Sequence, residues 1–453
     1  MLEKATLAVL QQALEKLDAG FVSLPEALDK APELQRVSEV LAAVAERLQD
    51  NYPYFHPLYA GQMLKPPHPV ARLAYALAQW INPNNHALDG GRASSAMEKE
   101  AVAALAHMFG WDEHLGHLTS GGTMANLEAL WVAGQLTPDT TILASAQAHY
   151  THHRICGVLQ IPFESVSCDA RARMDIGALE RRLAKGEVGT VVVTMGTTAT
   201  GSEDPLPEIL ALQKRHGFRV HCDAAYGGYF GLAQNLGDDA RSAFESIRNA
   251  DSIVIDPHKH GLQPYGCGCV LFRDHAVGKL YRHDSPYTYF SSKELHLGEI
   301  SLECSRPGAA AVALWATQKL LPLEKGGTFA KGLEQCREAA LELHRRIVAD
   351  SRFVAGFAPE LDIVIFAPRA ENVSTASVLT RKIFDVAAKR NLHLAVAELP
   401  LEFFLPRIAG MVKDRATLAC LRSVLMKPEH RVWVPQIWDI LSQSTNEVLN
   451  ATS

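Results

Sequence analysis

Leu7, Leu10, Leu14 and Leu17 recur at helical spacing, and Val37, Val40, Leu41, Val44 and Leu48 repeat that spacing further along. Side chains three and four apart share one face of a helix, so both stretches predict amphipathic helices. An aromatic, proline-marked segment from Asn51 to Pro69 follows. Residues 1–84 are expected to form an N-terminal helical segment. From about residue 85 the period changes. The short β-rich runs Thr141–Ala144, Thr190–Thr194, Arg219–Cys222, Ser252–Ile255 and Cys269–Phe272 alternate with helical stretches. Such alternation predicts an α/β fold whose large domain, residues 85–325, is built on a mainly parallel sheet. Leu321-Pro322 and Gly326-Gly327 mark a hinge. Beyond it a helix from Ala330 to about Asp350, a strand at Asp362–Ile365, a further helix and a strand at His393–Val396 predict a smaller α/β unit, residues 326–453.

Composition narrows the class. A chain of 453 residues that is 47% hydrophobic buries a large core spread over two or three units. Charged residues make up 21% and the net charge is −6, with no local basic run to suit nucleic acid or a membrane surface. No apolar run approaches the ~20 residues needed to cross a bilayer. The opening Met1-Leu2-Glu3-Lys4 carries both charge signs and resembles neither a secretory signal nor a transit peptide. Eight cysteines are scattered, and Cys267-Gly268-Cys269, the only close pair, lacks the second half of a zinc site. Free thiols and a cytoplasmic setting are expected.

The candidate chemistry sits just after the predicted strands, where open α/β sheets bind ligands. Asp256-Pro257-His258-Lys259-His260 follows the apolar run Ser252–Ile255. A lysine at the end of a core strand is expensive to desolvate, so its charge is either paired or chemically used. Upstream, Thr119-Ser120-Gly121-Gly122-Thr123 leads into a good helix sequence. Its small residues and free helix-start N–H groups suit a phosphate, although N-capping is an equally ordinary role. Gln147-Ala148-His149 supplies an imidazole, which as a lone residue is a hydrogen-bonded core histidine. His149, His152 and His153 lack the carboxylate or cysteine pattern of a metal site, so no metal is expected. Gly196-Thr197-Thr198 offers hydroxyls in a turn. Asp223-Ala224-Ala225-Tyr226 places a carboxylate beside a small face suited to a flat ring; its bland alternative is a turn cap. In order, these are the parts that hold pyridoxal phosphate: an anion site, two ring faces, a partner for the ring nitrogen and an amine for the aldehyde.

The same five motifs, from roughly Asn51 into the C-terminal domain, resemble the group II pyridoxal-phosphate-dependent decarboxylases, which act on aromatic amino acids, glutamate, histidine and tyrosine. The resemblance implies an aspartate-aminotransferase-like fold (fold type I) and a homodimer. It implies Lys259 as the amine that joins the cofactor, His149 stacked on the ring, Asp223 at the ring nitrogen and Ala225 on the opposite face. Ser120, Gly121, Gly122, Thr123 and His258 would surround the phosphate, with Thr198 near the ring oxygen or the substrate carboxylate. In the family a mobile-loop tyrosine returns a proton to the α-carbon, for which Tyr287 and Tyr289 are the candidates here. The family's N-terminal segment lines the substrate side, which puts Tyr54, Phe55 and His56 forward, although aromatic clusters are more often core or interface packing. Arg306 is a candidate for meeting a carboxylate bidentately, a structural ion pair being its commoner fate. Many members carry tryptophan after the lysine; this chain has His260. The expected reaction is decarboxylation of an L-amino acid, with a lean toward aromatic or bulky substrates. Aldehyde synthesis, carbon–carbon lysis and transamination use the same scaffold, and a non-catalytic binding role is the reading from another class.

Overall fold

The computed structural model describes residues 4–25, 33–86, 90–281, 300–405 and 407–451. The large sheet is built from β1 (Leu115–Thr119), β2 (Thr141–Ser145), β3 (Phe163–Val166), β4 (Val188–Thr194), β5 (Arg219–Asp223), β6 (Ser252–Ile255) and β7 (Gly268–Phe272), in spatial order β1-β7-β6-β5-β4-β2-β3. From β6 to β3 every pairing is parallel. β7 runs antiparallel to both β6 and β1. Two reversals restore direction, so β1 points the same way as β2, β4, β5 and β6. The carboxyl ends of all five open on one side of the sheet. The interior strands are buried along most of their length, as apolar runs covered by helices on both faces must be.

The sequence pattern missed β1, whose five residues include Gly116 and His117. Both have a packing reason. A side chain on Gly116 would lie 2.6 Å from the Leu271 side chain of β7. The buried His117 Nε2 lies 3.0 Å from the buried Glu128 carboxylate.

The second sheet, β8 (Phe353–Ala355), β9 (Ile363–Pro368), β10 (Ala395–Pro400) and β11 (Thr417–Val424), is antiparallel throughout, in order β10-β11-β9-β8. Helices Thr328–Ala349, Val373–Lys389 and His430–Asn450 supply its apolar cover. The main apolar core continues across residue 326: Phe329, Leu333 and Cys336 belong to the same buried cluster as Ile255 and Leu361. Near the N-terminus, Tyr59 and Ala60 are fastened to this second sheet region by backbone bonds to His393 and Val424. Helices Lys4–Asp18 and Leu34–Leu48 form where the leucine and valine spacing predicts.

Candidate active site

A cavity of about 310 Å³ lies outside the carboxyl ends of β1, β2, β4, β5 and β6. Its lining brings together Ser120, Gly121, Gly122, Thr123, His149, Thr198, Asp223, Ala225, His258 and Lys259, ten positions taken from five stretches of sequence.

Lys259 enters from the turn after β6, and its Nζ lies 3.0 Å from Asp256 Oδ2. Asp256 is buried, and its other oxygen has no hydrogen-bond partner among the described residues. His258 Nε2 stands 3.5 Å from the same Asp256 Oδ2, and its ring packs against Tyr265 with centroids 4.8 Å apart.

Opposite this turn, Gly121 precedes helix Gly122–Leu136 at φ +155°, ψ 174°, a conformation open essentially to glycine alone. No side chain caps the helix start, so its first-turn N–H groups face the cavity region without that competitor. The Ser120 amide, ahead of the helix, is already committed, donating to Glu303 Oε2 at 2.9 Å. A side chain on Gly122 would meet Asp256 Oδ2 at 2.6 Å. The loop is therefore held against the lysine turn with no room to spare. Asn126 fixes it further by donating to Gly122 O at 2.9 Å while its own Oδ1 meets His221 Nε2 at 2.8 Å.

Asp223 ends β5 at the cavity floor. Its Oδ2 accepts from His152 Nε2 at 2.8 Å and its Oδ1 from the Ala225 amide at 3.1 Å. Burial alone would raise the Asp223 carboxyl. The His152 hydrogen bond and charge outweigh it, with Lys259 and His221 contributing, and hold the group well below the usual carboxylate range. The floor thus carries a fixed negative charge. His149 hangs over the cavity from the turn before helix Thr151–Leu159, its Nδ1 2.8 Å from Thr151 Oγ1. Burial lowers its pKa, so it presents a neutral ring face. The three histidines of this region diverge: His152 turns inward to Asp223, while His153 meets Phe163 edge-on at 5.5 Å. No group of three or more histidine, cysteine or acidic residues that could hold a metal forms among the described residues.

The cavity suits pyridoxal phosphate on structural grounds. It combines an uncapped glycine-led helix start, a neutral imidazole, a buried anion beside a small alanine face, and one lysine whose carboxylate neighbour keeps an unpartnered oxygen. Gly122→Ala tests the first of these. It is expected to weaken cofactor binding about tenfold or more, the range of a 1–3 kcal/mol overpacking cost. Titrating cofactor absorbance in the variant checks this; unchanged affinity would mean that the loop does not grip the phosphate.

Other expected site residues lie elsewhere. Arg306 is 5% exposed and does not line the cavity. Its Nη1 bonds Glu98 Oε1 at 2.7 Å and Leu118 O at 2.6 Å, and its Nη2 bonds Asn85 O at 3.2 Å. It is a structural cross-link, since Glu98 is buried and needs a cation. Tyr54 packs edge-on against Tyr59 at 4.9 Å, and His56 against Trp433 at 5.0 Å. Phe55 lines a different cavity. Tyr287 and Tyr289 fall outside the described residues.

Two contributors escaped the sequence reading. His152 belongs to the histidine cluster, yet only the fold reveals that it faces a carboxylate 71 positions away. Arg422, in β11, bonds Thr198 O at 2.6 Å, Ala199 O at 3.1 Å and Gly61 O at 3.0 Å. It ties the second sheet and the N-terminal segment to the hydroxyl turn. Nothing near Arg422 in sequence signals this.

Below that turn, Glu203 is 2% exposed and neither carboxyl oxygen has a hydrogen-bond partner among the described residues. Burial, against the opposing charges of Arg171 and Arg173, pushes its pKa from 4.5 up to about 7. With a raised pKa the folded protein keeps a proton that the unfolded chain releases. Stability from this group is complete below about pH 4.5 and is lost as pH rises through about 7. The loss is on the order of 3 kcal/mol. Glu203→Gln, neutral at every pH, is expected to melt higher than the parent at pH 8, with the gap shrinking by pH 5. A gap independent of pH would refute the assignment.

Similar proteins fit this geometry. A family model described as the pyridoxal-dependent decarboxylase conserved domain matches residues 23–369. An L-tyrosine decarboxylase from Enterococcus faecium is 28% identical over 390 residues, covering 64% of this chain and 64% of that protein. An L-aspartate decarboxylase from Thermococcus kodakarensis is 27% identical, covering 72% and 84%. Among solved structures, Oryza sativa TDC with PLP and tryptamine superimposes with a TM-score of 0.77 at 17% identity, covering 98% of this chain and 99% of that one. The fold is the type I fold of pyridoxal-phosphate enzymes.

Proposed function

We propose that this chain, which belongs to the pyridoxal-dependent decarboxylase family, removes the α-carboxylate of an L-amino acid as carbon dioxide and releases the amine. The observation that carries this reading is the convergence of Lys259, Asp223 and the 120–123 loop on one cavity. The chain spans 64% of the length of the Enterococcus faecium relative, and the activity is read from the cavity as much as from that likeness.

When bound, pyridoxal phosphate supplies an electron sink for the bond that breaks at the α-carbon. The loop at 120–123 and His258 would hold its phosphate, and His149 and Ala225 would enclose its ring. Asp223, kept ionised by His152, would hold a proton on the ring nitrogen. Lys259 presents its amine to the aldehyde, with the Asp256 carboxylate 3.0 Å away to take up or stabilise its charge. Because Asp223 is buried and pre-positioned, its field acts without solvent reorganisation. Return of a proton to the α-carbon is assigned to Tyr287 or Tyr289.

The printed names of the relatives include both tyrosine and aspartate. We favour an aromatic or bulky substrate. Arg306, the candidate donor to an acidic side chain, is committed to Glu98, and no arginine lines the cavity among the described residues. An amino-acid panel with added cofactor, assayed for carbon dioxide, amine, aldehyde and ammonia, tests the reading. Amine and carbon dioxide in equal amounts, fastest from an aromatic amino acid, are expected. Aldehyde with ammonia would establish oxidative deamination instead, and turnover confined to aspartate would overturn the substrate preference.

The wider reading keeps three units, residues 1–84, 85–325 and 326–453, in a cytoplasmic homodimer. Supporting the dimer, helix Leu34–Leu48 exposes Val37, Val40, Leu41, Val44 and Leu48 together and has no buried residue, a patch of the kind that proteins cover with a partner. All eight cysteines are unpaired, as a reducing compartment requires. No helix among the described residues is long and apolar enough to cross a membrane.

A further inference from the structure

A second cavity, of about 610 Å³, lies behind the lysine turn and shares no lining residue with the cofactor cavity. His260, the neighbour of Lys259, forms part of its wall. The rest is largely apolar, with Phe55, Leu262, Leu321, Phe329 and Leu333 prominent. Into this apolar space the fold brings Lys65 and Lys427, from segments 362 positions apart. Lys427 is 4% exposed; its Nζ donates to Tyr59 O at 2.6 Å and lies 5.4 Å from the centre of the Tyr59 ring. Lys65 Nζ donates to Met426 O at 3.2 Å. An ammonium has three donors, and these two reach backbone carbonyls, which cannot neutralise them. Arg72, also in the lining, has its Nε buried without a hydrogen-bond partner among the described residues.

Charge in the lining is one-sided: Lys65, Arg72, Lys331 and Lys427 face one carboxylate, Glu429. Asp362 also acts on Lys65 but does not line the cavity. Its Oδ1 accepts from Tyr226 at 2.6 Å, and its Oδ2, 3.2 Å from His260 Nε2, makes no hydrogen bond among the described residues. Burial, reinforced by the charge of Lys65, brings the Lys427 amine down to about 7. A buried amine repelled by a second, half-buried one is stabilised by an anion of matching size.

We propose that this cavity binds a small carboxylate with an apolar body, its charged end between Lys65 and Lys427 and its apolar part against Phe55, Phe329 and Leu333. A bare phosphate would match the amines and leave the apolar walls uncovered, whereas an aromatic acid uses both. Such a ligand needs no amine and no contact with the cofactor.

The probe is phenylacetate, titrated calorimetrically into the cofactor-loaded protein, with phenethylamine and inorganic phosphate as controls. Saturable binding of phenylacetate, stronger than of either control, is expected. Lys65→Met and Lys427→Met should each weaken it at least about tenfold, the loss of a charge-assisted contact. Gly332→Leu gives an independent test. Its helical backbone accepts a side chain, whose Cβ would sit 3.3 Å from Pro428 and extend along the cavity wall while both amines remain. That variant should also lose binding, with cofactor absorbance unchanged in all three. No saturable binding, binding untouched by the three substitutions, binding displaced by a cofactor-site substrate analogue, or tighter binding of phosphate would each overturn the proposal.

Discussion

Lys259→Ala is expected to cut turnover on the order of 10⁴-fold or more, the scale on which removal of a covalent catalyst is felt. Lys259 is the one lysine lining the cofactor cavity among the described residues, so no neighbouring amine there replaces it. Lys259→Arg separates chemistry from charge. A guanidinium preserves the positive charge beside Asp256 but does not give up a proton to become a nucleophile. Both variants should be equally inactive, while still binding the cofactor through the 120–123 loop and Asp223. Initial rates with a saturating amino acid, together with cofactor retained after gel filtration, measure this. An arginine variant with more than a few per cent of parental activity would show that Lys259 serves only as a charge.

Asp223→Asn carries the second large effect. The amide is nearly isosteric and its oxygen still accepts from the Ala225 amide, but its NH2 cannot accept from His152 Nε2 and the negative charge leaves the floor. Loss of one preorganised electrostatic group typically costs on the order of 10²–10³ in kcat, and that loss should appear in kcat more than in KM. The acid limb adds a stability test. The folded Asp223 pKa is depressed, so its stabilising contribution is complete above the unfolded value near 4 and is lost as pH falls through the lower folded value. Replacing His152 by phenylalanine removes the largest opposing interaction, so melting of that variant should fall furthest behind the parent near neutral pH. The difference should narrow as the solution is acidified. A gap that widened on acidification would contradict the pairing.

Much of this architecture is legible from periodicity, because a parallel strand buried on both faces must be a short apolar run. The five runs anticipated from Thr141 to Phe272 are all strands. The site motifs are legible for a related reason. They follow those runs directly, and a parallel sheet delivers the carboxyl ends of its strands to one side. β1 was not legible, since its glycine and buried histidine answer to β7 and to Glu128 rather than to any local pattern. Arg306 illustrates the same limit. Its partners at positions 85, 98 and 118 lie some 190 to 220 residues upstream, and only the fold distinguishes a cross-link from a substrate anchor. Phe55, a candidate for the substrate side, borders the second cavity; the direction of an aromatic side chain in a proline-rich segment is set by what packs around it. His260, the residue after the lysine, is explained by Asp362 beside the second sheet, whose Oδ2 lies 3.2 Å from its Nε2, while burial lowers the imidazole's pKa.

Lys259 is the amine proposed to join the cofactor, in preference to every other lysine of the chain. Borohydride reduction of the cofactor-loaded protein, followed by proteolysis and peptide mass spectrometry, tests it most directly. A pyridoxyl mass confined to the peptide containing Lys259 is expected. An unmodified Lys259 peptide, or the mass on Lys427, whose amine is already lowered to about 7, would contradict it.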